Sequence, residues 1–311
     1  MGVGQMKHIS IILIPLALGI ISCTGQPYST NWENINYADD TLVSHRLDIY
    51  LPKVNKPRYP TVMIVYGSAF FGNDMKQDAY KALGTPLLNS GFAVVTVNHR
   101  SSRDAIFPAQ IQDIKAAVRF LKANGDKFQI DTFFIGITGY SSGGHLSAMM
   151  GTSGFVKLMT INSKSADIEG GVGNYTSYSS SVNAVVDWFG PTDFQSMDSC
   201  GSSMVHDAPD SPESILIGVP IQDNDDLCAL ANPISYVDPD DPPFLILHGD
   251  ADPLVPHCQS ALLFQSLQEA GVPSQFVLVP EAAHGPGLFV EEYFSMMTDF
   301  FLLCLGENKE P

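Results

Sequence analysis

Basic residues are scarce. The 311-residue chain carries 16 Lys and Arg against 33 Asp and Glu, a formal net charge of −17. A surface of that sign repels phosphate, so nucleic acid is excluded as a partner, and the charge reads first as a solubility device. Long apolar runs are few: beyond Cys23 no stretch is apolar enough to span a bilayer. Cysteines number five and none has zinc-ligand spacing. No metal or organic cofactor is expected. No internal repeat is present. What remains, 45% hydrophobic and 16% charged residues, is ordinary globular composition, enough for one large α/β domain or two small ones.

The one apolar run stands at the start. Lys7 is followed by a nearly all-apolar stretch from Ile9 to Ile21, short for a membrane span and suited to a signal segment. Its ending, Ile20-Ile21-Ser22-Cys23, resembles a bacterial lipobox, which implies residues 1–22 as signal peptide and Cys23 as lipid anchor. Residues 23–35 read as a polar tether and 36–307 as the folded domain. Such a protein sits lipid-anchored in the bacterial cell envelope, where disulfides are permitted. Cys200 and Cys228 flank one irregular segment and are the expected pair. Cys258 and Cys304 fall on expected helices and read as buried thiols.

From Asn36 onward strand-like and helix-like segments alternate. Arg46 to Pro52 alternates polar and apolar, as in an antiparallel strand. Thr61 to Tyr66 and Phe92 to Val97 are continuous apolar runs, as in strands buried on both faces. Ala109 to Asn124 places Ile111, Ile114, Ala117, Val118 and Leu121 on one helical face. Further strands are expected before Ser141 and at 182–188, 244–248 and 275–279, with helices at 259–270 and 291–303. The alternation predicts a mostly parallel sheet with helices on both faces. Two segments break the rhythm: 162–181 reads as a loop, and 191–232 as a lid-like insertion with one short helix near 213–217.

The chemistry concentrates where the strand at 133–138 meets a helix. Gly139-Tyr140-Ser141-Ser142-Gly143 has the Gly-x-Ser-x-Gly pattern of a tight strand-to-helix turn, with Ser141 raised above the carboxyl edge of the sheet. Ser142 is out of register as a nucleophile; its backbone N–H is placed as an oxyanion donor. A serine nucleophile needs a base, and the base a carboxylate, in the order Ser, Asp, His. Asp252, with Asp250 as the alternative, follows the apolar strand ending at His248. His284 follows the next strand in a loop of small residues. His145 reads as structural support, His248 as a buried strand end, and His257 as a helix start. His99, His45 and His206 lack the required order or setting. The second oxyanion donor belongs in the loop Tyr66-Gly67-Ser68-Ala69, from the N–H of Ser68 or Ala69.

With these motifs together, and with Leu47 to Pro52 and Phe107-Pro108-Ala109, the chain resembles α/β-hydrolase esterases, near hormone-sensitive-lipase-like carboxylesterases and bacterial feruloyl and acetyl xylan esterases. The resemblance runs from about Leu47 to Leu303 and implies the α/β-hydrolase fold, a serine esterase mechanism and a carbohydrate-linked or small-molecule ester as substrate. One departure stands out: Tyr66-Gly67-Ser68-Ala69 replaces the His-Gly-Gly-Gly usual in that group. The added side chains narrow the space beside the serine, so a small acyl group such as acetyl is one expectation. A small-peptide serine peptidase and a non-catalytic anchored binding lipoprotein are the alternatives. Asn174-Tyr175-Thr176 fits a glycosylation acceptor and reads as chance in a bacterial lipoprotein.

Overall fold

The computed structural model describes residues 26–307. The expected signal peptide and the Cys23 anchor lie outside the described residues. Ten strands are found in chain order: β1 Tyr28–Asn36, β2 Arg46–Pro52, β3 Tyr59–Val65, β4 Ala93–Val97, β5 Ile130–Tyr140, β6 Leu158–Ile161, β7 Lys164–Asp167, β8 Ala184–Trp188, β9 Phe244–Gly249 and β10 Ser274–Val279. The helices are α1 Lys76–Ala79, α2 Thr85–Asn89, α3 Ala109–Ala123, α4 Gly125–Phe128, α5 Ser142–Thr152, α6 Pro212–Ile217, α7 Asp225–Ala231, α8 Cys258–Ala270 and α9 Glu291–Glu307. A π-helical turn, Tyr80–Gly84, joins α1 to α2.

Eight strands form one sheet in the order β1-β2-β4-β3-β5-β8-β9-β10. The pairs β1–β2 and β2–β4 are antiparallel, and every pair from β4 to β10 is parallel. The apolar runs of β3, β4 and β8 are buried along their whole length, as strands covered on both faces must be. One face packs against α3, α5 and α8 through Ile114, Val118, Leu146, Met149, Leu263 and Leu267. The other packs against the α1–α2 stretch and α9 through Leu83, Leu87, Met297 and Phe301. The expected fold class is therefore observed.

Three expectations change. Residues 28–35, read as tether, belong to the edge strand β1, Tyr28–Asn36. Its polar outward residues hide the strand pattern in the sequence. Trp32 packs edge-on against Phe128 and Tyr28 packs on Tyr50, which docks it. The segment 162–181 contains strand β7, which pairs with β6 in a separate hairpin. Cys200 is bridged to Cys258, with Cα atoms 6.3 Å apart, and not to Cys228. The insertion folds back so that Cys200 meets the first residue of α8. Meanwhile α7 buries Cys228 inside the insertion, its thiol directed at the Ile221 carbonyl at 3.5 Å.

Candidate active site

β5 ends at Tyr140 and α5 begins at Ser142, so Ser141 is the single residue of the turn. Its backbone is held at φ 55°, ψ −127°, a region sparsely populated by residues with a side chain. The glycines make room for that turn. A Cβ on Gly139 would run into the Gly143 carbonyl, and one on Gly143 into the Val65 carbonyl of the neighbouring strand. The Ser141 N–H is tied to the Trp188 carbonyl at 2.9 Å.

The parallel register carries the partners to the same edge. β9 delivers Asp252 and β10 delivers His284 from adjacent strands. His284 Nε2 lies 2.9 Å from Ser141 Oγ, and His284 Nδ1 lies 2.7 Å from Asp252 Oδ2. Residues far apart in the chain thus form one continuous hydrogen-bonded line. Asp252 Oδ1 accepts the N–H groups of Leu254 at 2.9 Å and Val255 at 3.0 Å. Burial would raise the Asp252 pKa, but hydrogen bonds from His248 and His284, the His284 charge and the Leu254 N–H outweigh it. The carboxyl is held well below its ordinary range. It stays ionised wherever His284 needs a counter-charge. Asp250, the alternative acid, points elsewhere: its exposed carboxylate accepts the Glu281 N–H at 2.6 Å, joining the acid loop to the histidine loop.

Of the two oxyanion candidates in the early loop, Ser68 is excluded. Its N–H is already committed to Ser142 Oγ at 2.8 Å. The N–H groups of Ala69 and Ser142 make no hydrogen bond to another described residue. Ala69 and Phe70 adopt left-handed backbone, φ 50° and 64°, which shapes the loop over the serine. Side chains do the work that glycines would otherwise leave to backbone alone. Ser68 Oγ accepts the Gly72 N–H at 3.0 Å, the Tyr66 hydroxyl donates to the Gly72 carbonyl at 3.2 Å, and the Tyr66 ring stacks on His99.

The remaining histidines have structural settings. His145 is buried on α5 and donates from Nδ1 to the Pro191 carbonyl at 2.9 Å; burial pushes its pKa down to about 4, so the ring is neutral. His248 bridges Ser260 Oγ at 2.7 Å and the Val255 carbonyl at 2.8 Å, bracing the acid loop from below. His257 immediately precedes α8.

Several contributors were not visible in the sequence. Phe189, at φ 45°, sets its ring edge-on to His284 at 4.6 Å and backs the imidazole. Gln259 accepts the N–H groups of Thr192 and Asp193, both at 2.7 Å, and donates to Ser196 Oγ at 2.9 Å, clamping the start of the insertion. The hydroxyl of Ser142 props the oxyanion loop. Only Ser142 carried a signal, as the second serine of the turn. Among the described residues no group of three or more His, Cys, Asp or Glu side chains is arranged to hold a metal ion.

Comparison with known proteins identifies relatives of the whole fold. The BD-FAE family profile matches residues 47–267. A solved structure described as a truncated form of carbohydrate esterase from gut microbiota is 51% identical, with a TM-score of 0.86, over 89% of this chain and 97% of that one. A bifunctional GH43-CE from Bacteroides eggerthii is also 51% identical, with a TM-score of 0.85, over 88% of this chain and 35% of that one. Esterase LipQ of Mycobacterium tuberculosis is 29% identical over 228 residues, 73% of this chain and 50% of LipQ. The chain spans about half the length of the curated relatives it matches. The chain belongs to the BD-FAE family and has its α/β-hydrolase esterase fold.

Proposed function

We propose that the protein is a serine carboxylesterase acting on carbohydrate-linked or other short-chain esters, of acetyl or feruloyl type. The observation that carries this reading is the unbroken line Ser141–His284–Asp252 beside two uncommitted backbone N–H groups. Similarity to a carbohydrate esterase over nearly all of both chains supports the substrate class.

The chemistry follows from the geometry. Ser141 Oγ attacks the ester carbonyl carbon while its proton passes to His284 Nε2. Asp252 keeps the Nδ1–H tautomer in place and stabilises the imidazolium. The carbonyl oxygen becomes an oxyanion between the Ala69 and Ser142 N–H groups, at the N-terminus of α5, where the helix dipole favours negative charge. Collapse breaks the bond to the alcohol oxygen, which takes the proton from His284. Water repeats the sequence on the acyl-enzyme, releasing the acid and restoring Ser141. The lipid anchor at Cys23 belongs to the same proposal and places the enzyme at the bacterial cell envelope.

The test is turnover of p-nitrophenyl esters from acetate to octanoate, acetylated xylan and methyl ferulate, by wild type and Ser141→Ala. The expected result is turnover lost in the variant. A folded wild type inert on every ester sinks the proposal. The acyl-length profile separates acetyl from feruloyl preference.

A further inference from the structure

The insertion between β8 and β9 grips the loop that carries Asp252. The Pro253 carbonyl accepts the N–H of Ser203 at 2.8 Å and its hydroxyl at 2.6 Å. The Leu254 carbonyl accepts Ser202 Oγ–H at 2.8 Å and His206 Nε2–H at 2.9 Å. These two carbonyls belong to the turn whose N–H groups are folded back onto Asp252 Oδ1. Asp252 holds the turn from inside and the insertion holds it from outside. The Cys200–Cys258 bridge fastens the same stretch to α8.

His206 is the hinge of this grip. Its side chain is 3% exposed and that of Glu213, on α6, is 5% exposed. His206 Nδ1 lies 3.0 Å from Glu213 Oε2, within ion-pair distance. Both ring nitrogens therefore face acceptors: a carboxylate on one side, the Leu254 carbonyl on the other. Only the imidazolium, with a proton on each nitrogen, satisfies both. A neutral ring must turn a lone pair toward one of them.

We propose that His206 is a positioning residue for the hydrolytic reaction. Its imidazolium, held between Glu213 and the Leu254 carbonyl, keeps the Asp252 turn in register with His284. The inference rests on the serine-esterase reading above. It has a pH signature. The charged groups facing the ring are Glu213 from α6 and Asp198 from the preceding turn, whose Oδ1 also accepts the His206 N–H at 2.8 Å; Ser202 Oγ and the Leu254 carbonyl are neutral acceptors. Burial lowers the His206 pKa, but Glu213, the Leu254 carbonyl and Asp198 outweigh it and hold it above the ordinary 6.5. With a raised folded value, the clamp is complete below that ordinary value and is lost as pH rises through the folded one. The wild type then shows an alkaline limb in kcat, set by His206.

The experiment is kcat and KM for p-nitrophenyl acetate from pH 5 to 10, for wild type, Glu213→Gln and His206→Gln, alongside fluorophosphonate labelling of Ser141. Glu213→Gln keeps the shape but removes the charge, and moves the alkaline limb to lower pH. His206→Gln lowers kcat about tenfold with KM within about twofold, and abolishes that limb, as expected for slight displacement of a catalytic group. An alkaline limb absent from wild type, unmoved in both variants, or a change confined to KM overturns the proposal while leaving the esterase standing. A wild type that neither turns over esters nor labels at Ser141 overturns the function itself, and the positioning role with it.

Discussion

Replacing both Cys200 and Cys258 by Ser opens the single bridge found among the described residues, and its cost follows from the loop it closes. The two cysteines are 58 positions apart. In the chain-entropy treatment, tying that many residues together removes about 4 kcal/mol of disorder from the unfolded state at 25 °C. The double variant should therefore lose about 4 kcal/mol in urea unfolding. Its m-value should rise slightly, because the unbridged unfolded chain exposes more surface. In a thermal scan the midpoint should fall by about 10 °C. The control is Cys228→Ser. That thiol is 4% exposed and unbridged, so its replacement should cost only about 1 kcal/mol, through lost packing. Peptide mapping of the oxidised protein should recover the 200–258 link. A double variant within about 1 kcal/mol of wild type refutes the reasoning, and so does a 200–228 link.

Other substitutions separate the parts of the site. Ser142→Ala leaves the Ser68 N–H without its acceptor. It should cost about 1–3 kcal/mol of stability and lower kcat about tenfold with little change in KM; an unaltered kcat shows that the oxyanion loop stands without this prop. Asp252→Asn should reduce kcat by about four orders of magnitude while Ser141 stays in place, read by steady-state kinetics on the same ester. Asp187 is buried, and burial pushes its pKa up to about 7 against the opposing hydrogen bond from the Gly190 N–H. A carboxyl raised in the folded state makes stability fall from its ordinary value near 3.8 up to about 7, and level off above. Asp187→Asn should thus gain on wild type by on the order of 3 kcal/mol between pH 4.5 and 8, measured by chemical unfolding at each pH. A constant gap across that range shows that Asp187 is already charged.

The parts legible in the sequence share a property: each is local. The turn at Ser141 announces itself because strand, glycines and helix are neighbours in the chain. β3, β4 and β9 do so because burial on both faces demands an unbroken apolar run. The acid loop could be placed because it follows β9, and His284 because it follows the edge strand β10 in a loop of small residues. Whether Asp252 or Asp250 faces the imidazole was not legible, since two acids in one loop differ only in direction. The sequence does not choose between Ser68 and Ala69 as oxyanion donor for a related reason. The choice depends on a bond to Ser142 from a different strand connection. Disulfide connectivity depends on how the insertion folds over α8, and nothing near Cys200 or Cys228 encodes that path. β1 does not stand out in the sequence because an edge strand exposes one row of side chains and so reads as polar. Its attachment comes from Trp32 and Tyr28 meeting rings on other elements.

β1 also decides how far the enzyme reaches. It starts at Tyr28, so with the lipid proposed on Cys23, only Thr24 to Pro27 lie between the membrane and the edge of the sheet. Even fully extended, that leash is shorter than about 20 Å. An enzyme leashed so closely does not patrol. With the proposed anchor in place, the domain would work within a thin layer above the bilayer, on esters small or soluble enough to arrive there.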